Sequence, residues 1–549
     1  MSTVAELVRA RADDDGVGLR YDDTVVTYRE YVAACAERAA VLEELRRPGP
    51  FHVGVLLDNV PEFPMWLGAA ALAGAVVVGI NPTRRGAELA RDVTHTDCQM
   101  IVTEEAYAPL LEGLDVGVAD ERILVTESPV YGEVLGRHRG AAVPDVAVDP
   151  ADMLLLLFTS GTSGAPKACI CSQGRLARIG QTLAGMVDLG PNDVCYLAMP
   201  MFHSNALMAG WAPALAAGAT TALRRKFSAS GFLPDVRKFG VTYFNYVGKP
   251  LSYILATPEQ PDDAENPLRL VFGNEAADLD IERFSARFGV PVIDSYGSTE
   301  GGATVTRTPD MPPGALGRGA DGVAVLDPAT GEEMPPAKFD AEGRLLNPDE
   351  AIGELVNLLG AASFEGYWRN EEAERARVHD GIYWTGDLAY RDEDGFIYFA
   401  GRDFDWLRVD GENFAAAPVE RILARHPDVV LAAVYAVPDP DVGDRVMAAL
   451  QLRDGANFAP EGFAAFLDRQ PDLGTKWAPR FVRIADPLPV TETSKVLKRV
   501  LRRERWECAE PVWWQPEKGA AYRRLEPADA DELRKQFAAR GRAAALEAV

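Results

Sequence analysis

The segment Leu154–Ala168, LLLLFTSGTSGAPKA, constrains the fold of this 549-residue chain more than any other stretch. Its apolar start predicts a buried strand, which runs directly into a loop of threonine, serine and glycine before Lys167. Glycines let a backbone approach a ligand closely, and hydroxyls with free N–H groups can hold phosphate oxygens. Because Lys167 follows Pro166 and precedes Ala168, the spacing is not that of a P-loop. By itself the segment leaves two interpretations open, a phosphate site or a polar turn after a core strand.

Apolar strand-like runs alternate with helical patterns along the first two thirds of the chain. The predicted strands are Val53–Leu57, Met100–Thr103, Met153–Phe158, Val194–Met199 and Val292–Ile293, and a helix is predicted over Glu62–Gly74. This alternation is typical of an α/β fold with mainly parallel sheets. Proline, glycine and aspartate cluster over Thr306–Asp349, which indicates a surface excursion or a small β-rich subdomain.

The last third of the chain has a different pattern. Asp394-Gly395 is a strong signal for a β-hairpin turn. Beyond Arg402 we predict a compact α+β unit with helices Pro418–Arg425 and Pro460–Arg469 and strands Val429–Val437, Met447–Leu452 and Phe481–Ile484. One hydrophobic core stops growing at ~250–300 residues, so two domains are expected, 1–402 and 403–549.

Charge and composition exclude several classes of protein. The chain carries 56 Lys+Arg against 82 Asp+Glu, a formal charge of −26, which disfavours a nucleic-acid partner. Its most apolar stretch, Met65–Ile80, is shorter than the ~20 residues that a spanning helix needs, so we expect no transmembrane segment and a cytoplasmic location. The six cysteines contain no CxxC pair, and Cys169 and Cys171 are predicted to be small core residues on one face of a strand.

Two further segments carry groups that suit a nucleotide. DSYGSTEGG, residues 294–302, contains Thr299-Glu300, a hydroxyl and a carboxylate suited to a phosphate and its Mg²⁺. YWTGDLAYRDEDGFIYFAGR, residues 383–402, places Asp387 in a tight turn, and a carboxylate can accept both hydroxyl protons of a ribose. Each segment alone is also compatible with a structural turn.

Taken together and in this order, the segments resemble the adenylate-forming (ANL) superfamily, and most of all its very-long-chain acyl-CoA synthetase and fatty-acid-transport-protein branch, including actinobacterial-type fatty-acid–CoA ligases. The stretches that look like this branch are 56–89, 241–255, 273–277, 366–370, 409–420 and 512–525. The resemblance implies a large layered α/β N-terminal domain with a small β-rich subdomain, followed by a mobile α+β C-terminal domain. It also implies that a carboxylate reacts with Mg·ATP to give acyl-AMP, and that coenzyme A then displaces AMP.

The resemblance also implies roles for individual residues. Phosphate contacts are expected from Thr159, Ser160, Gly161, Thr162, Lys167 and Thr299, with Glu300 holding Mg²⁺; adenine contacts from Gly273, Asn274, Glu275 and Tyr296; and ribose contacts from Asp387 and Arg402. Lys495 is expected to act at the α-phosphate, although Ser494 replaces the usual preceding glycine. His203 is expected between the nucleotide and the acyl pocket, and Tyr243, Phe244 and Tyr246 in the wall of that pocket.

Two features depart from the pattern or leave it open. The usual pivot position between the domains is Phe404, which puts the hinge residue in doubt. The basic run Lys498, Arg499, Arg502, Arg503 and Arg505 has residues 498, 502 and 505 near one helical face, and it is either a solvated helix or a contact for CoA phosphates.

Several functional alternatives remain at this stage. The acid is a long-chain or otherwise bulky hydrophobic one, and a steroid side-chain acid is the runner-up. The acceptor could be a carrier protein in place of coenzyme A. A catalytically silent acyl- or nucleotide-binding protein is a third hypothesis, which the retained charged residues oppose. A homodimer is left open.

Overall fold

The computed structural model describes residues 3–159, 167–308, 310–341, 343, 345–402, 406–409, 412–440, 444–474, 476–491, 496–517 and 519–546. Predicted functional residues Ser160, Gly161, Thr162, Phe404 and Lys495 therefore lie outside the described residues. In the described part of the chain, no helix is both long enough and apolar enough to span a lipid bilayer.

The described strands fall into four sheets. In chain order they are β1 (Val17–Tyr21), β2 (Thr24–Thr27), β3 (His52–Leu56), β4 (Val76–Gly79), β5 (Cys98–Thr103), β6 (Ile123–Val125), β7 (Met153–Thr159), β8 (Lys167–Ser172), β9 (Val194–Leu197), β10 (Thr220–Leu223), β11 (Tyr243–Val247), β12 (Leu270–Asn274), β13 (Val292–Tyr296), β14 (Val305–Thr306), β15 (Gly317–Gly319), β16 (Val323–Leu326), β17 (Gly353–Asn357), β18 (Val378–His379), β19 (Ile382–Arg391), β20 (Phe396–Arg402), β21 (Trp406–Val409), β22 (Glu412–Ala415), β23 (Val429–Pro438), β24 (Asp444–Leu452), β25 (Phe481–Ile484), β26 (Val512–Trp514) and β27 (Arg523–Arg524).

The described helices pack on the faces of these sheets. They are α1 (Val4–Arg9), α2 (Tyr28–Leu45), α3 (Glu62–Ala73), α4 (Gly86–His95), α5 (Pro129–Arg137), α6 (Gln173–Met186), α7 (Ala212–Ala217), α8 (Ala229–Phe239), α9 (Pro250–Leu255), α10 (Asp278–Phe288), α11 (Pro348–Ala351), α12 (Glu371–Arg377), α13 (Ala416–Leu423), α14 (Pro460–Asp468), α15 (Lys498–Glu504) and α16 (Pro527–Ala539), and a π-helix covers Ala206–Trp211.

The first sheet has the order β6-β5-β3-β4-β7-β8 and is parallel except for its last pair. Every residue of β3 and β4 is buried, as expected for parallel strands that are covered on both faces. Helix α3 is buried almost throughout and ends at Gly74, whose φ of +67° suits a left-handed cap. The predicted strands and the α3 helix are confirmed here to within a few residues.

The second sheet joins a parallel part to an antiparallel part without a break. Strands β13-β12-β11-β9-β10-β1 are mutually parallel, and β2 pairs antiparallel with β1 at the edge. From β13 the sheet continues through β14, β15, β20, β19, β17 and β16 by antiparallel pairing. The strands of the Pro- and Gly-rich stretch, predicted as a surface excursion or a small β-rich subdomain, therefore extend the parallel sheet. The hairpin predicted separately at Asp394-Gly395 joins β19 to β20.

The C-terminal part forms a third sheet with the order β23-β24-β25-β26-β27. Two core clusters cover its two faces, one built with α15 and α16 and the other with α13 and α14. Strand β20 ends at Arg402, and β21 pairs with β22 in a small sheet of its own. The two helices and three strands predicted for this α+β unit are confirmed, with Phe481–Ile484 matching at both ends.

Candidate active site

The ends of the strands bring the predicted residues together. Thr159 closes β7 and Lys167 opens β8, and the two are paired in register, so residues 160–166 connect two adjacent strand ends. Asn274 and Tyr296 close the neighbouring parallel strands β12 and β13. Ligands of parallel α/β sheets bind beyond the carboxyl ends of the strands, which is where these residues lie.

Lys167 and Glu300 are the core of a charged cluster, which we define as Lys167, Arg175, Thr299, Glu300 and Tyr367. Glu300 is buried, and the Tyr367 hydroxyl donates a hydrogen bond to its Oε1 at 2.7 Å. Tyr367 is held in place because its own segment runs alongside β8: Ile170 N–H donates to Gly366 O at 3.0 Å, and Trp368 N–H donates to Ala168 O at 2.9 Å. One oxygen of the Glu300 carboxylate is thus fixed by a tyrosine.

The electrostatics of the cluster follow from burial and from the mixture of charges. Burial lowers the pKa of Lys167, a neighbouring guanidinium from Arg377 lowers it further, and Glu300 opposes both effects. Burial also raises the pKa of Tyr367, and the adjacent Glu300 carboxylate raises it further, so this hydroxyl stays a hydrogen-bond donor.

Arg175 holds the turn that carries Thr299. This α6 arginine is 1% exposed, and its guanidinium donates to Thr299 O at 2.6 Å and to Ile170 O at 3.1 Å. A Cβ at Gly301, where φ is +70°, would lie 2.7 Å from Arg175 Nη2, so the glycine admits the guanidinium. The Thr299 hydroxyl is 2.8 Å from the Ser204 hydroxyl. A buried cation thus ties the turn to β8 through backbone carbonyls.

The predicted ribose and adenine residues meet at the other end of the site. The Tyr296 hydroxyl donates to Asp387 Oδ2 at 2.5 Å, and the Asp387 side chain is buried. Burial, and then the Asp387 carboxylate, raise the pKa of Tyr296 well above its usual range. Asp387 and Arg402 are backbone partners in the β19–β20 pair, while the Arg402 side chain lies outside the described atoms.

Each residue of the segment Gly273–Glu275 has a different structural role. A Cβ at Gly273 would lie 2.4 Å from the Tyr246 ring, so packing alone requires glycine there. Asn274 Nδ2 donates to Ser295 O at 2.6 Å, which fixes its side chain against β13. Glu275 is exposed with a φ of +72°, a left-handed conformation that costs a non-glycine residue roughly 1–2 kcal/mol. Backbone strain of this kind clusters at functional sites.

A row of neutral amides, which the sequence analysis did not single out, continues from this segment. We call Asn205, Asn245 and Asn274 the amide ladder. Asn245 Nδ2 donates to Asn205 Oδ1 at 2.9 Å, and Asn205 Nδ2 donates to Tyr246 O at 2.9 Å and to Asn274 Oδ1 at 3.4 Å. Asn245 is 0% exposed. An asparagine inside the apolar run YFNYV was the signal that could have revealed this ladder.

His203 lies where the ladder meets the charged cluster. The residue is half-buried, and its backbone N–H donates to Pro200 O at 3.0 Å. The centroid of its ring lies 4.6 Å from that of the Phe202 ring. Ser204 and Asn205 follow directly, one bonded to Thr299 and the other to the ladder. The next residues form the π-helix, an irregularity that frequently marks functional sites.

The prediction that Tyr243, Phe244 and Tyr246 share one wall of an acyl pocket is wrong. Side chains alternate along a strand, so neighbours on β11 point to opposite faces of the sheet. Phe244 and Tyr246 pack in one core cluster and Tyr243 in another. Both tyrosine hydroxyls bind groups of the protein itself: Tyr243 donates to Ala209 O at 2.9 Å, and Tyr246 donates to Asp294 Oδ2 at 2.6 Å.

The basic run near the C-terminus is also arranged differently from the prediction. Helix α15 ends at Glu504, and Arg505 follows with a φ of +52°, so residues 498, 502 and 505 do not share one helical face. Lys498 is paired with Glu420 at 2.9 Å. The two cysteines of β8, by contrast, are both buried as predicted.

Comparison with known proteins gives consistent results. Residues 8–368 match the family described as AMP-binding enzyme, and residues 418–495 match the AMP-binding enzyme C-terminal domain. The chain is 53% identical over 544 residues to a steroid-22-oyl-CoA synthetase of Rhodococcus jostii, covering 98% of both chains. It is 50% identical over 512 residues to a medium/long-chain-fatty-acid–CoA ligase of Mycobacterium tuberculosis, covering 93% of this chain and 98% of the relative. The solved structure of ATP-bound MatB from Rhodopseudomonas palustris matches with a TM-score of 0.77 at 25% identity, over 91% of this chain and 98% of that one.

Proposed function

The chain belongs to the AMP-binding enzyme family, and from that membership we propose that it activates a bulky hydrophobic carboxylic acid, with a steroid side-chain acid as the first candidate. Its reaction class is acid–thiol ligation of the AMP-forming type: the carboxylate and ATP give an acyl adenylate, and coenzyme A gives the acyl-CoA. The enzyme uses ATP, Mg²⁺ and coenzyme A.

The chemistry explains why charge is concentrated at one end of the site. A carboxylate is a poor electrophile, so it is first joined to the α-phosphate, and the electron pair of the broken P–O bond leaves with pyrophosphate. The thiolate of coenzyme A then attacks the carbonyl carbon, and AMP departs with the bridging oxygen. The first step brings two anions together, so the protein must offset their repulsion with fixed donors and cations.

The oxygen atoms at and beside Glu300 are suitable ligands for Mg²⁺. Mg²⁺ prefers oxygen ligands and is usually bound by one or two carboxylates together with substrate phosphates. Glu300 supplies a buried carboxylate with one oxygen fixed by Tyr367, and the Thr299 hydroxyl lies on the adjacent residue. When bound, Mg²⁺ neutralises phosphate charge; the chain itself positions the carboxylate and keeps Lys167 nearby.

We assign the remaining roles as proposals. Thr159, Ser160, Gly161, Thr162, Lys167 and Thr299 hold the β- and γ-phosphates, Gly273 to Glu275 and Tyr296 frame the adenine, and Asp387 with Arg402 binds the ribose. His203 separates the nucleotide from the acid, because it lies beside Ser204 and the start of the π-helix. Lys495 acts at the α-phosphate in the first half-reaction, and the chain turns between the half-reactions at residues 402–405.

The observation that carries the choice of acid is the extent of the similarity to the steroid-22-oyl-CoA synthetase, 53% identity over 98% of both chains. The second candidate is a medium- or long-chain fatty acid, supported by the 50% identity to the mycobacterial ligase. Both acids are hydrophobic, and they differ mainly in width. A rigid ring system needs a wide pocket, whereas a fatty chain can follow a narrow one.

A panel of acids tests the proposal. The acid-dependent release of AMP in the presence of coenzyme A is measured with a C22 steroid side-chain acid and with saturated fatty acids of C8, C12, C16 and C18. We expect the steroid acid to give a kcat/KM at least ~10-fold above the best fatty acid, the discrimination expected from ~1.4 kcal/mol. A preference for a fatty acid would favour the second candidate, and no turnover with any hydrophobic acid would overturn the proposed substrate class. Replacing coenzyme A with a phosphopantetheinyl carrier protein tests the alternative acceptor.

A further inference from the structure

Arg377 lies at the edge of the charged cluster, although none of the recognised segments contains it. It is the last residue of α12, which follows the segment paired with β8 and precedes the β18–β19 hairpin. Its Nη1 donates to Trp384 O at 3.3 Å. A Cβ at Gly386, where φ is +71°, would lie 2.6 Å from Nη1, so the glycine before Asp387 leaves room for the guanidinium. Arg377 therefore lies between the Glu300 side and the Asp387 side of the nucleotide site.

The charge of Arg377 is not matched by a dedicated carboxylate. The residue is half-buried, and among the residues that the structure describes no carboxylate lies within 4.0 Å of its guanidinium. Structural arginines in partly buried positions are usually paired. The groups facing Arg377 are the Tyr367 and Tyr383 hydroxyls, Glu300 at longer range, and Lys167 as a second cation.

Counting these charges gives an excess of one positive charge. Of the three charged groups that act on one another here, Lys167 and Arg377 carry two positive charges, and the Glu300 carboxylate, with one oxygen fixed by Tyr367, carries one negative charge. Two cations that repel each other in a partly desolvated cluster cost free energy, and an anion placed between them recovers it. A guanidinium adds two parallel donors that match phosphate geometry.

We propose that Arg377 binds the β- or γ-phosphate of ATP and stabilises the departing pyrophosphate. The inference rests on the proposed function, since it requires that ATP occupy this site. During adenylation the carboxylate oxygen forms a bond to the α-phosphorus, and the bond from the α-phosphorus to the bridging oxygen breaks. The electron pair stays on pyrophosphate, and Arg377 offsets the negative charge that develops there. The second half-reaction contains no pyrophosphate, so Arg377 has no charge to stabilise in it.

The alternative is that Arg377 only fastens α12 to strand β19 through Trp384 O. The two roles make different predictions for the half-reactions. A fastening residue affects both half-reactions and the melting temperature alike, whereas a phosphate ligand affects ATP, pyrophosphate and the first half-reaction only.

The test compares Arg377→Met with Arg377→Lys and with Arg375→Met. Arg375 is the matched control because it lies on the same helix, two residues earlier, and is exposed. Three quantities are measured: acid-dependent ATP–pyrophosphate exchange, the inhibition constant of inorganic pyrophosphate, and thioester formation from synthetic acyl-AMP and coenzyme A.

We expect Arg377→Met to lower exchange by ~100-fold, the typical effect of losing one fixed transition-state donor, and to weaken pyrophosphate inhibition by ~10-fold or more. Thioester formation should stay within ~3-fold of the wild type, Arg377→Lys should retain part of the exchange, and Arg375→Met should match the wild type. Unchanged pyrophosphate inhibition in Arg377→Met, or an equal loss in both half-reactions, would overturn the inference. If Arg377→Met does not fold, the inhibition constant of pyrophosphate is measured for Arg377→Lys. A weaker inhibition than in the wild type supports the inference, and an unchanged inhibition overturns it. A wild-type enzyme without exchange for any acid would instead overturn the proposed function.

Discussion

The charged cluster and the amide ladder lie at neighbouring strand ends, yet they are built from opposite chemistry. The cluster combines a lysine, a buried arginine and a carboxylate, and their partners are mainly carbonyls and hydroxyls. The ladder links Asn205, Asn245 and Asn274 by neutral amide hydrogen bonds. Residues 203–205 connect the two regions, because Ser204 contacts Thr299 and Asn205 belongs to the ladder.

The difference shows where the interaction of a buried charge with an anion outweighs the free energy lost when that charge is desolvated. Burying a cation costs several kcal/mol unless other groups compensate it, so a buried cation is expected where a negative charge arrives or develops. On the ladder side no charge develops, and neutral amides hold the strands and the proposed adenine contact Asn274 in place without adding charge. We therefore expect substitutions in the cluster to have large effects on one half-reaction, and substitutions in the ladder to have small and mostly structural effects.

The largest effect is expected for Glu300→Ala, which removes the carboxylate proposed to hold Mg²⁺. We expect adenylation to fall by ~10²–10³-fold and excess Mg²⁺ to restore part of it, because metal affinity is weakened while the phosphates remain as ligands. Pyrophosphate release is measured against Mg²⁺ concentration. Glu372→Ala, a change at an exposed glutamate, is the control. Wild-type activity at every Mg²⁺ concentration would exclude the metal role.

The second-largest effect is expected for Arg175→Met in the charged cluster. This change removes the guanidinium donors of the partly buried Thr299 and Ile170 carbonyls and leaves them only the weak Cys169 thiol among the described donors, at ~1–3 kcal/mol of stability in all. Because Thr299 precedes the proposed metal ligand, we also expect the KM for Mg·ATP to rise by ~10-fold while the KM for the acid changes little.

Both quantities are measured, the KM values by initial rates and the stability by urea unfolding. Arg178→Met on the exposed face of the same helix controls for loss of a charge from α6. A destabilised enzyme with an unchanged KM for Mg·ATP would show that the Thr299 turn keeps its position without Arg175, and the cluster would then depend less on buried charge than we infer.

A smaller effect is expected for Asn205→Ala in the amide ladder. The change removes the partner of Asn245 Nδ2 and of Tyr246 O, so the free energy of unfolding should fall by ~1–3 kcal/mol. Because no charge develops there, kcat of both half-reactions should change by less than ~5-fold. Asn457→Ala, at an exposed position in the C-terminal part, is the control. A ~100-fold loss of kcat confined to adenylation would show that the ladder, like the cluster, acts in one chemical step.

The smallest effect on activity is expected at Asp294, just behind the site on β13. Burial raises its pKa to about 7, although hydrogen bonds from Tyr246 and the Ala276 N–H act in the opposite direction. Because the folded-state pKa lies above the unfolded value of ~3.9, the protonated form favours the folded state, and that stability is lost as pH rises from about 4 to about 7.

Asp294→Asn should remove this pH dependence. Over that window the free energy of unfolding of the wild type, relative to the variant, should fall by up to ~1.4 kcal/mol per pH unit. Urea unfolding at pH 4.5, 5.5, 6.5 and 7.5 measures the difference. A constant difference across the window would show that Asp294 does not change its protonation there.

Much of the fold was predictable from the sequence because local patterns determine it. Buried strands such as β7 are continuous apolar runs, the β19–β20 hairpin has a turn dipeptide, and α3 ends at a glycine. The continuous sheet from β13 into β14 was not predictable, since antiparallel extension depends on long-range pairing and not on composition.

The site was predictable only in part. Thr299, Glu300 and Asp387 lie in recognisable segments; the structure places the first two in the loop after β13, and Asp387 within β19 is bonded to Tyr296 at the end of β13. Arg175 was not predicted because its guanidinium binds the carbonyl of Thr299, which is distant in the sequence. The role proposed for Arg377 was not predicted because it depends on the neighbouring Lys167 and Glu300, which are also distant in the sequence. Tyr243 and Phe244 were misassigned because a run of aromatics was interpreted without the alternation of a strand.

The most direct test of the central claim follows one oxygen atom. The enzyme is supplied with a hydrophobic acid labelled with ¹⁸O in its carboxylate, together with ATP, Mg²⁺ and coenzyme A, and the products are analysed by mass spectrometry. An acyl adenylate forms by bonding a carboxylate oxygen to the α-phosphorus, so each turnover should leave one ¹⁸O in AMP and none in pyrophosphate. Label in pyrophosphate or orthophosphate, or AMP without label, would contradict the account.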